Sequence, residues 1–172
     1  MKWVKQSIHY WCPDTKEHKF LGQNVTVAIL DTGISPHPDF KDRILSFRDF
    51  SSTTGSSEKV LFSFSHFSPL IDNSGHGTHV AGILAGSGLL SSGTYAGIAP
   101  FCNLIIGKVL DQNGNGSIKN VINGIQWIRD IYTQFHIRII NISVGTRPDL
   151  SIHQKLLLLN AVESLWDLGL VV

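Results

Sequence analysis

Two side chains have the type and the setting for proton-transfer chemistry. Asp31 follows the β-branched run at residues 25–30 (VTVAIL), and His76 opens the glycine- and alanine-rich stretch GHGTHVAGILAG at residues 75–86. A carboxylate beside an imidazole fixes the ring's tautomer and stabilises the imidazolium formed when the ring takes a proton. A helix N-terminus tends to keep a nearby imidazole neutral, which would suit His76 as a general base. An isolated Asp and an isolated His serve equally well as a turn cap and an ordinary polar residue. The pair therefore needs a fold that brings it together.

The elements that could do so are legible as patterns. Residues 25–30, 104–110 (LIIGKVL) and 137–142 (IRIINI) are short apolar, β-branched runs of the kind that form buried parallel strands. Between the last two, Ile118, Val121, Ile122, Ile125, Ile128, Ile131 and Tyr132 recur at helical spacing over residues 117–135, with Ser117 placed as N-cap. Residues 152–168 read as a second long helix capped by Asp149 or Ser151, and residues 170–172 (LVV) as the opening of a fourth strand. Residues 75–86 are a poor helix by propensity, so close packing must hold them. Residues 51–68, rich in Ser and Thr, read as a surface loop or weak hairpin, and residues 1–24 as an irregular segment lying on the domain. Strands alternating with helices imply an α/β fold with a mostly parallel sheet between helical layers. Sites in such sheets lie beyond the carboxyl ends of the strands. Asp31, residues 111–116 and residues 143–146 all fall there, and a helix starting at His76 can return to the same edge.

Composition narrows the class. The chain has 172 residues, 42% of them hydrophobic and 16% charged, which is globular rather than disordered. Its formal net charge of +1 offers nothing to a nucleic acid or an anionic membrane. No stretch has the length of a membrane span and the first 20 residues contain no signal-peptide core, so the chain as written reads as cytoplasmic; secretion stays open if the N-terminus is incomplete. Cys12 and Cys102 have no metal-type spacing and read as two free thiols.

The local sequences carry a resemblance. Asp31-Thr-Gly-Ile after VTVAIL, the complete His76-Gly-Thr-His-Val-Ala-Gly82, Gly97-Ile-Ala-Pro100 and Asn141-Ile-Ser-Val-Gly145, in this order, are similar to the subtilases, the subtilisin-like serine peptidases. In that family the triad runs Asp, His, Ser along the chain. The resemblance runs from about residue 25 to 172 and implies a three-layer α/β sandwich of which the N-terminal half is present. It implies that Asp31 orients His76, that His76 is the general base and acid, and that the partner is a polypeptide substrate. Ser143, Val144 and Gly145 would form one wall of the substrate cleft. Leu110, Gly114, Asn115 and Gly116 would form the other, so that the peptide adds as a strand between them. His79 is expected to serve packing, and Thr146 stands where the family often has a second glycine.

The family's nucleophile lies in a Gly-Thr-Ser segment, which this sequence lacks. The chain is expected to stop before it, inside an apolar strand, to be inactive alone and to associate with the missing half of the domain. The other reading is a non-catalytic subtilase-like module that binds peptides or scaffolds a partner. No cofactor is required by the triad. Calcium is a possible structural ion, because Asp39 matches a position that ligates it in some subtilases. Two metal decoys fail on their own terms. Residues 111–116 (DQNGNG) begin like an EF-hand loop, but its twelfth position is Ile122 rather than Glu. His76 and His79 lack the glutamate of a zinc-peptidase helix.

Overall fold

The computed structural model describes residues 2–8, 10, 20–51, 72–145 and 150–172. Cys12, Thr146, Asp149 and nearly all of the Ser/Thr-rich stretch lie outside them.

The sheet is built as its strand sequences require. β1 (Thr26–Asp31), β2 (Ile44–Asp49), β3 (Asn103–Lys108) and β4 (Ile137–Ile142) pair in the order β2-β3-β1-β4, every pair parallel. All six residues of β1 are buried, because both faces of the sheet are covered. Val27 and Ile29 pack with Ala81 and Ala85 of α2 (His76–Ala85). Ala28 and Leu30 pack with Val121, Ile125 and Ile128 of α3 (Ile118–Ile131) and with Leu165 of α4 (Ile152–Trp166). This is the three-layer sandwich, with α2 on one side and α3 and α4 on the other. Val171 adds a parallel bridge to Ile139, outside β4, so residues 170–172 do begin to extend the sheet.

Both helix caps form. The Ser117 side chain accepts from the Asn120 amide, and Ser151 closes a capping box with Gln154.

Two elements differ from the sequence reading. The strand β2 was not expected. It is an edge strand preceded by Arg43 and interrupted by Ser46 and Arg48, and its burial is incomplete, so its apolar pattern is short. Residues 1–24 are not wholly irregular either: α1 (Lys2–Ser7) precedes β1. Six residues do not sustain a helix alone. Tertiary contacts supply the difference, with Lys5 buried over the Tyr10 ring and the Tyr10 hydroxyl donating to Ile98 O at 2.8 Å.

Candidate functional site

Strand alternation decides where Asp31 points. Val27 and Ile29 face α2, so the side chain two residues further on faces α2 as well. There Asp31 Oδ1 meets His76 Nδ1 at 2.7 Å. The carboxylate is fully buried, whereas the imidazole is 53% exposed. Asp31 Oδ1 also accepts from the Thr32 amide at 2.7 Å, while Oδ2 is buried with no partner among the described residues. A carboxylate buried with one oxygen unmatched favours a positive neighbour. The hydrogen bond from His76 and the charge of Asp31 raise the imidazole's proton affinity above its ordinary value, burial opposes this, and the charge of Asp72 adds to it. The sequence reading had the helix N-terminus keeping His76 neutral. The carboxylate in contact pulls the other way. Nδ1–H donates to Asp31, which leaves Nε2 on the exposed ring as the proton acceptor.

The pair is held by residues that no motif marks. The Asp72 carboxylate, 9% exposed, accepts four hydrogen bonds. Oδ1 takes the Thr32 hydroxyl at 2.8 Å and the Gly75 amide at 2.9 Å. Oδ2 takes the Thr78 amide at 2.8 Å and the Thr78 hydroxyl at 2.5 Å. Each hydroxyl then accepts in turn, Thr32 Oγ1 from the Gly77 amide and Thr78 Oγ1 from the Ser35 amide, both at 2.9 Å. Asp72 thus ties the chain after Asp31 to the first turn of the helix bearing His76. Lys108, buried and paired in register with Asp31, donates to Thr32 O at 2.5 Å. No local signal marks this role, because Asp72 stands outside the N-cap position, which Gly75 holds. Gly77 allows the close approach: a Cβ there would collide with Gly33 O and lie 3.2 Å from Asp31 Oδ1.

A groove of about 560 Å³ opens at the same carboxyl-terminal edge. Leu110, Gly114, Asn115 and Gly116 line it on one side, Val144 and Gly145 on the other, with Val121 and Leu158 among the apolar residues between them. Ser143 sits at the end of β4 but outside this lining, its hydroxyl accepting from Asn141 Nδ2 at 2.7 Å. Asp31 and His76 are not in the groove wall either, so the structure gathers the expected residues into two neighbouring groups. Asp111 Oδ1 accepts the Asn113 and Asn115 amides at 2.8 and 2.9 Å, making residues 111–115 a self-contained turn rather than an ion loop. Gly116 is confined by its own chain, since a Cβ would press on Val109 O and Leu110. His79 is exposed beside an open cavity with His37, Asp39 and Tyr95, and does not serve the packing role expected of it. Cys102 is free and buried, and that burial pushes its thiol up to about 11. No helix among the described residues is long and apolar enough to cross a membrane.

The subtilase family model matches residues 22–165. The chain belongs to the subtilase family. It is 41% identical to serine protease AprX of Bacillus subtilis (strain 168) over 156 residues, 88% of this chain and 32% of that protein. It is 38% identical to the major intracellular serine protease of the same organism over 74% of this chain and 36% of that one. Among solved structures, the CspB protease of Clostridium perfringens superposes with a TM-score of 0.73 at 26% identity, over 92% of this chain and 37% of that one. Sphericase gives 0.69 at 28% identity, over 87% and 44%. The chain thus spans about a third of the curated relatives it matches, and this subtilase fold is a partial domain.

Proposed function

We propose that this chain supplies the acid–base half of a serine endopeptidase whose nucleophile lies outside these 172 residues. The observation that carries the reading is the 2.7 Å contact between His76 Nδ1 and the fully buried Asp31 carboxylate. With a serine at Nε2, His76 takes the hydroxyl proton as Oγ bonds to the scissile carbonyl carbon. It then passes that proton to the leaving amine as the C–N bond breaks, and Asp31 stabilises the imidazolium between the two steps. The polypeptide would lie as an added strand between residues 114–116 and Ser143–Val144–Gly145, where Leu110, Val121 and Val144 favour apolar side chains. Val171 already beside β4 supports a sheet that continues into the Ser-bearing remainder of the domain, which is the partner proposed for this chain.

The test compares this chain with the product of the source reading frame extended past codon 172. A fluorophosphonate probe should leave the 172-residue chain unlabelled and label one serine in the longer product, which cleaves casein. Asp31→Asn in the longer product should lower kcat by about 10⁴-fold. Stoichiometric labelling of a serine in the short chain, or a longer product inert to both assays, would sink the proposal. The second outcome would favour the peptide-binding module instead.

A further inference from the structure

The resemblance makes Asp39 a candidate calcium ligand, and the donor set around it tests that directly. Asp39 lies in a single 3₁₀ turn, Pro38–Phe40, between β1 and β2. Its carboxylate is already engaged by the loop that follows α2, with Oδ2 accepting from the Gly88 amide at 3.0 Å and Oδ1 from the Leu90 amide at 3.4 Å. Its main-chain oxygen accepts from the Ser87 amide at 3.2 Å and from Arg43 Nη2. The same guanidinium donates to Ala85 O at 2.7 Å and, through Nη1, to Cys102 O at 2.8 Å.

Three carbonyls and a carboxylate drawn from separate segments are the oxygen donors that a hard cation such as calcium collects, six to eight at a time. Here the carboxylate and the carbonyls already face N–H groups. A calcium ion would have to displace both the backbone amides and a guanidinium, whose charge would repel it. The guanidinium also meets a need of the fold. Ala85 is the last residue of α2, so its carbonyl is one of the unpaired acceptors at a helix C-terminus, where a cation is favoured. One planar, fixed fork reaches the turn before β2, the end of α2 and the entry to β3 together, which an ammonium on a flexible stem does not.

We propose that Arg43 is the built-in structural cation of this corner, and that the Asp39 site consequently takes no calcium. The residues do not fit the ion that the family resemblance suggests. Arg43 thereby anchors the far end of the helix whose first residue is His76.

The test is thermal unfolding of the chain, followed by circular dichroism, with calcium alone or with EDTA, and calorimetric titration of the folded chain with calcium chloride. The parent should melt at the same temperature in both buffers. Arg43→Met keeps the stem and removes the donors; it should melt roughly 5–10 °C lower, and calcium should not restore it. Arg43→Lys should fall between the two. If Arg43→Met does not fold at all, the titration decides. No calcium heat, or heat that persists unchanged in Asp39→Asn and so arises elsewhere, supports the proposal. Saturable binding that stabilises the parent and disappears in Asp39→Asn overturns it, as does an Arg43→Met variant that melts like the parent.

Discussion

Adding one methyl group to α2 at Gly77 should uncouple the pair, whereas the same addition at Gly82 should stabilise the chain. Both glycines are inside a ten-residue helix, where alanine is favoured by about 1 kcal/mol on propensity. At Gly82 a Cβ meets nothing within 4 Å, so Gly82→Ala should gain about 0.5–1 kcal/mol. At Gly77 the Cβ would sit more than roughly 1 Å inside van der Waals contact with Gly33 O, with Gly33 N at 3.1 Å and Asp31 Oδ1 at 3.2 Å behind it. The obstacle is backbone and cannot rotate away. Overpacking of this kind costs about 1–3 kcal/mol, which exceeds the propensity gain. Relief comes by moving the first turn of α2 off the end of β1, which lengthens the 2.7 Å contact made by His76 next door. The net loss should therefore be about 0–2 kcal/mol in urea denaturation. A second signature is sharper: the His76 titration midpoint, read by NMR, should fall toward the ordinary histidine value of about 6.5. Gly82→Ala should leave that midpoint alone. The reasoning fails if Gly77→Ala is as stable as Gly82→Ala, or if it keeps the parent midpoint.

Further expectations rest on the same geometry. Asp72→Asn removes a charge that accepts four hydrogen bonds, and should cost about 2–3 kcal/mol in urea denaturation, with a loss below about 0.5 kcal/mol contradicting the role given to it. Burial pushes the Asp72 carboxyl up, but the hydrogen bonds from Thr78, Thr32 and Gly75 together hold it below the usual 3.8. Its contribution is therefore present above that value and lost as pH falls through the lower folded-state value. His76 has the opposite sign, because its folded-state proton affinity is raised. Its contribution is complete below 6.5 and fades as pH rises from there through the folded-state value, by a small amount because the ring is half-exposed. If the longer product is the peptidase proposed above, its kcat/KM should rise with pH through that same value, since a base must be neutral to take a proton. An NMR midpoint at or below 6.5, or one unmoved by Asp31→Asn, would contradict this.

The residues proposed for the chemistry were legible in the chain because they stand next to strong local signals. Asp31 ends a buried strand, and His76 begins a run of small residues. Strands β1, β3 and β4 could be read from their apolar β-branched runs, helix α3 from its periodicity, and Ser117 and Ser151 from cap chemistry, since each of these depends on neighbours within a few positions. The edge strand β2 lacks that pattern, and α1 exists through contacts made far along the chain at Ile98.

What the chain order could not supply was the set of contacts between distant positions. Asp72 reaches Thr32 across 40 residues, Lys108 reaches Thr32 across 76, and Arg43 joins Ala85 and Cys102. None has a period or a spacing to reveal it. The same is true of proton affinity at His76: helix position and a carboxylate in contact pull in opposite directions, and only their distances decide between them. Sequence determined which groups could react, through residue type and local pattern. The tertiary structure decided how they are held and charged, because hydrogen bonding and Coulomb attraction depend on separation in space.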